Sequence, residues 1–70
     1  MKFNKFVGSR IQKHRKMVGM TIDELADFMC KSPQTVRNYE WGKFAVSVED
    51  LFRLADLWNI NVYEFIKEAK

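Results

Sequence analysis

The stretch that most constrains this chain is Thr21 to Gly42, TIDELADFMCKSPQTVRNYEWG. It opens on Thr21 with Glu24 three positions later, the spacing of a capping box. In such a box the hydroxyl accepts from one backbone amide and the carboxylate from another. Leu25, Ala26, Phe28 and Met29 then place apolar residues at helical spacing. Lys31 breaks the pattern. Ser32-Pro33 starts a second helix, with a hydroxyl at the cap and a proline at the first helical position, where its missing N–H is no loss. Val36 and Tyr39 give this helix a buried face, and Gly42 can adopt the left-handed conformation that ends it. Ala26 is small where the two helices would cross closely. Two helices this short barely offset the cost of their own nucleation, so the rest of the chain must supply a core.

The flanking residues read as helices too. Helix 1 is predicted from about Asn4 to Val18, with Val7, Ile11 and Val18 on one stripe, Phe3, Phe6 and His14 beside it, and Gly19 as the stop. After a short loop from Lys43 to Val46, Ser47 caps helix 4 and Asp50 completes a second box. Leu51, Leu54, Ala55 and Trp58 follow at i, i+3, i+4 and i+7, flanked by Phe52 and Leu57. Asn61 caps helix 5 with Glu64 as its partner, and Val62, Phe65 and Ile66 face inward. Met20 with Leu25, Val46 with Leu51 and Ile60 with Phe65 have the spacing of hydrophobic staples. No stretch alternates as a β-strand would. The expectation is an all-α fold, one compact five-helix domain over residues 1–70.

Composition removes several function classes. The single cysteine, Cys30, rules out an internal disulfide, and with one histidine no zinc site can be assembled. No metal and no cofactor are expected. No apolar run approaches the ~18 residues of a membrane span, and no secretory signal is visible, so no membrane partner and a cytoplasmic location are expected. One histidine, no glycine-rich phosphate loop and little room for a pocket argue against an enzyme and against a small-molecule substrate. The net charge is only +3, yet it is segregated. Residues 1–16 carry Lys2, Lys5, Arg10, Lys13, Arg15 and Lys16 without an acid, whereas residues 22–29 carry Asp23, Glu24 and Asp27 without a base. Such segregation can build a positive face for a polyanion, or it can be a set of solvated surfaces.

Taken together, Arg10-Ile11, Arg15, Gly19-Met20-Thr21, Glu24-Leu25-Ala26, Ser32 with Thr35-Val36, Glu40, Gly42-Lys43 and Leu51 with Leu54-Ala55 resemble a known pattern. It is that of the helix-turn-helix domain of phage repressors and Cro-type regulators, and the resemblance runs from about Phe6 to Ile66. It implies a sequence-specific regulator of transcription, most simply a repressor, whose third helix (about 33–41) enters the major groove of double-stranded DNA. By that resemblance Pro33, Gln34 and Asn38 face base edges, with Thr35 and Arg37 beside them. The side-chain chemistry agrees: Gln and Asn can pair with adenine, Arg with guanine, and the Thr methyl can touch thymine. Lys43, with the backbone amides of the loop from Trp41 to Phe44, matches phosphate-binding positions, and Arg10, Lys13 and Lys31 are additions by charge. Arg15 is expected to pair with Glu40 and to retain donors for a phosphate.

The pattern is broken in places. Ile22 stands where the family usually has a phosphate-binding glutamine, and Cys30 where it has a turn glycine. A left-handed turn at Cys30 would cost about 1–2 kcal/mol, and the thiol is expected to be buried and inert. Pro33 can offer only apolar contact. His14 is expected to be partly buried with a local hydrogen bond. The family's operators are mostly pseudo-palindromic, and with no second domain in this sequence a homodimer is expected through Trp58, Ile60, Val62, Tyr63, Phe65 and Ile66. A rival reading is a protein-binding adaptor or antitoxin on the same scaffold, favoured by apolar Ile22, Pro33 and Trp41.

Overall fold

A computed structural model describes residues 2–67. Five helices make up that span: α1 (Lys2–Met17), α2 (Ile22–Met29), α3 (Pro33–Trp41), α4 (Val48–Trp58) and α5 (Tyr63–Ile66). No strand occurs among the described residues.

The helix starts follow from their caps. The Thr21 hydroxyl accepts from the Glu24 amide at 3.1 Å and the Glu24 carboxylate accepts from the Thr21 amide at 2.8 Å, which completes the box. Ser32 accepts from the Thr35 amide ahead of Pro33. Only half of the box expected at Ser47 forms. Its hydroxyl takes the Asp50 amide, but the buried Asp50 carboxylate turns instead toward Arg53, 3.8 Å away. At α5 the Asn61 side chain accepts from the Tyr63 amide, while Glu64 leaves the expected box and faces His14.

Four helices end in one device. Gly19, Cys30, Gly42 and Asn59 have φ of 75, 56, 80 and 54°. In each case the next amide reaches back five residues, Met20 to Arg15, Lys31 to Ala26, Lys43 to Asn38 and Ile60 to Ala55. This is the Schellman arrangement, which satisfies carbonyls that the helix itself leaves open. Cys30 therefore keeps the left-handed turn despite its side chain. Its thiol is exposed, not buried as expected, because it lies just past Met29, the last residue of α2 to enter the core.

Every helix contributes to that core: Val7 and Ile11 from α1, Leu25, Ala26 and Met29 from α2, Val36 from α3, Leu51, Leu54 and Ala55 from α4, and Phe65 from α5. Fully burying each of the larger side chains contributes about 1.5–3 kcal/mol, so the short helices are held by shared burial. The staple residues Met20, Val46 and Ile60 pack against this cluster. Val18 does not. It is 53% exposed because α1 has already ended, and the stripe of Val7 and Ile11 continues into Arg15 instead. His14 stacks on Trp58 and meets the edge of Phe65. The hydrogen bond expected of it is absent: its Nε2 is buried without a partner among the described residues.

Candidate nucleic-acid interface

Two contacts fix α3 against α1. A Cβ added at Gly8 would lie 2.2 Å from the Tyr39 carbonyl oxygen and 2.6 Å from that of Glu40, so only glycine lets the two backbones approach this closely. Beside this crossing, Arg15 and Glu40 form the expected ion pair. Arg15 Nε donates to Glu40 Oε2 at 2.7 Å and a terminal guanidinium nitrogen donates to Oε1 at 3.1 Å. The other terminal nitrogen donates to the Met20 carbonyl at 2.9 Å. Both residues are buried, 8% and 6% exposed. The expected phosphate contact of Arg15 is corrected by this geometry: the guanidinium is held inside the fold at three points. Arg53 of α4 steadies the other partner helix, donating to the Phe28 carbonyl at 3.1 Å near the C-terminus of α2, where a cation also complements the helix dipole.

Held this way, α3 buries Val36 and Glu40, with Tyr39 half-covered, and turns Gln34, Arg37, Asn38 and Trp41 outward. Those four fall at i, i+3, i+4 and i+7, a single stripe opposite the core. The stripe brings together three of the expected base readers and one expected backbone contact. Gln34 Nε2 donates to Asn38 Oδ1 at 3.3 Å. Pro33 is exposed at the first helical position. Thr35 is drawn partly into the helix start, its hydroxyl 2.8 Å from that of Ser32.

The backbone-contacting set needs revision. The amides after Trp41 cannot serve a phosphate as expected, because the helix end uses them. Gly42 donates to the Tyr39 carbonyl at 3.2 Å, and Lys43 and Phe44 both donate to that of Asn38, at 2.9 and 3.4 Å. What this loop offers is side chains: Lys43, whose ammonium lies 5.6 Å from the Trp41 ring centre, and the exposed rings of Trp41 and Phe44. Lys31 is exposed just ahead of α3. Lys13 is exposed on α1, and the Arg10 guanidinium lies over the Phe6 ring at 5.1 Å.

Lys5 was not among the expected phosphate contacts. A Cβ on Gly42 would lie 2.5 Å from the Lys5 Cα, so the start of α1 abuts the end of α3 and places a second exposed base beside Lys43. Nothing local in the sequence marks this, since the contact depends on how α1 crosses α3. Among the expected dimer residues, Phe65 is fully buried and is withdrawn from any interface. Trp58 is half-buried, with its indole N–H directed at the Met20 sulfur at 3.3 Å. Ile60, Val62 and Ile66 also pack in part on the core, and Tyr63 alone is well exposed, at 60%.

Comparison with known proteins adds three findings. A helix-turn-helix family model matches residues 11–65. No curated protein sequence matches. Among solved structures, the restriction-modification controller protein C.AhdI from Aeromonas hydrophila is 23% identical, with 94% of this chain and 100% of that chain covered and a TM-score of 0.82. The DNA-binding domain of BldD from S. venezulae is 25% identical over 94% of this chain and 99% of that one, at 0.80. The clp gene regulator ClgR from C. glutamicum is 25% identical over 90% of this chain and 82% of that one, also at 0.80.

Proposed function

This chain belongs to the helix-turn-helix family and binds double-stranded DNA as a transcriptional regulator, and from that premise we propose a sequence-specific repressor that acts by occupying its site, not by catalysis. One observation carries the reading. Gln34, Arg37 and Asn38 lie on a single outward stripe of a helix whose opposite face is locked to α1 by Gly8 and the Arg15–Glu40 pair. Rigid placement matters because a bidentate base contact, worth about 1–3 kcal/mol of discrimination, needs its donors in register with the base edge. Lys43 and Lys5 at the helix end, with Lys31 at its start, supply the phosphate contacts that hold that register. No helix among the described residues is long and apolar enough to cross a membrane, and the site of action in this proposal is the cytoplasm.

We further propose that the repressor works as a homodimer on a pseudo-palindromic operator. The surface begins at Tyr63 and Ile66 and extends, beyond the residues first expected, across an apolar groove of about 310 Å³ that Phe3, Val48 and Phe52 also line. A protein-binding adaptor is the second reading, and the exposed Trp41 ring on the stripe, with the Phe44 ring just past its end, favours it.

Selection of bound sites from a random duplex pool tests the proposal. The proposed function predicts an enriched sequence made of two related half-sites about one DNA turn apart. Gln34→Ala should then relax the preference at one or two base pairs with little loss on random DNA, whereas Lys43→Ala should weaken binding to every sequence. A pool without enrichment points to the adaptor.

A further inference from the structure

We propose that Gln34 and Asn38 read DNA as one coupled unit, with Gln34 selecting adenine and Asn38 selecting a neighbouring base that presents acceptors, guanine or thymine. The inference rests on the reading of α3 as the groove-facing helix. It begins with a single contact, the Gln34 Nε2 to Asn38 Oδ1 hydrogen bond of 3.3 Å across one helical turn.

Each side-chain amide has two N–H donors and one carbonyl oxygen with two lone pairs. Unpaired, Gln and Asn are therefore equivalent at a base edge, and both match adenine, with its N6 donor and N7 acceptor. The contact removes the equivalence. Gln34 has used one N–H and keeps the other, together with both lone pairs of Oε1, so it still offers the donor and the acceptor that adenine requires. Asn38 keeps both N–H groups while its oxygen has one lone pair occupied, so it meets the groove chiefly as a donor. Guanine O6 and N7, or thymine O4, answer that. The bond also orders the Gln34 amide before DNA arrives. Such preorganisation reduces the side-chain ordering that binding would otherwise require. Arg37 lies between the two in sequence on the same stripe and has no part in the bond.

The test is site selection from random duplex with the full chain and with Gln34→Ala and Asn38→Ala, followed by affinities of all three and the double variant for the selected site. Gln34 is exposed and Asn38 half-exposed, so neither truncation opens the core. The wild type is expected to enrich adenine at one base pair and guanine or thymine at a neighbour. In Gln34→Ala the adenine preference is lost, and the neighbouring preference moves toward adenine because Asn38 Oδ1 is freed. Each single change costs about tenfold in affinity, and the double change costs well under the hundredfold product. An unchanged neighbouring preference in Gln34→Ala, or fold-losses that simply multiply, overturns the coupling while leaving α3 as the reader. A wild type that enriches no sequence overturns both, beginning with the groove reading itself.

Discussion

At Arg15 and Glu40 the balance of charge and burial decides what a mutation does. Each is an ion removed from water, and each is tolerable only because the other is there. Arg15→Met or Glu40→Gln alone should cost about 3–5 kcal/mol in urea unfolding, since the remaining partner is left unmatched, and the double variant should cost less than either. Additive losses in that cycle would remove the pair from its structural role. Gly8 carries a sharper prediction. Gly→Ala inside a helix ordinarily gains up to about 1 kcal/mol, but here the new methyl would meet two carbonyl oxygens at 2.2 and 2.6 Å. Overpacking of about 1–3 kcal/mol or more should win, and the Gly8→Ala melting temperature should fall. The ion pair was legible in the sequence only through the resemblance that paired its two positions. Gly8 was not legible at all, because a glycine in mid-helix looks like a weakness until the helix that crosses it is known.

At the scale of elements, the starts of the helices could be read more fully than their ends. Thr21, Ser32 and Ser47 are local signals, and their hydroxyls make the bonds their spacing promises. The ends depend on backbone hydrogen bonds that the residue types do not announce. Cys30 and Asn59 take the same conformation as Gly19 and Gly42, and the amides after Trp41 are committed to the end of α3. Cys30→Gly should accordingly raise stability in thermal unfolding. Relief of about 1–2 kcal/mol of left-handed strain exceeds the extra chain entropy glycine loses on folding, about 0.5–1 kcal/mol. With the loop amides spent, the proposed function gives phosphate binding at the end of α3 to Lys43 and Lys5. Replacing either with alanine should weaken binding to all duplexes alike and flatten the salt dependence by about one phosphate contact each. If Lys5→Ala left the slope unchanged, its place beside Gly42 would have no role in binding.

For the whole molecule, the difficulty in sequence was that the core and the exposed apolar surface share one pattern. Phe65 and Tyr63 lie two residues apart in one short helix, yet Phe65 is fully buried and Tyr63 is mostly exposed. Periodicity over four residues is too short to sort them. The longest dimension of the described fold is 32 Å, comparable to the ~34 Å between half-sites one turn apart, so two copies on the proposed operator would come within reach of each other. Phe52→Lys, an exposed position in the apolar groove, should leave the fold intact, abolish dimers in sedimentation equilibrium, and weaken a two-half-site operator far more than a single half-site. Dimers that persist would place the interface elsewhere.

In the proposed function the outward stripe of α3 reads sequence while a few basic side chains hold phosphates. Anisotropy titration of a selected operator and a scrambled duplex across a salt series tests it most directly. Affinity for both should fall steeply with salt, by a log–log slope of about −0.9 per phosphate contacted. The operator should stay tighter by about 10³-fold or more throughout. Equal affinity for the two duplexes, or binding indifferent to salt, would contradict the proposed function.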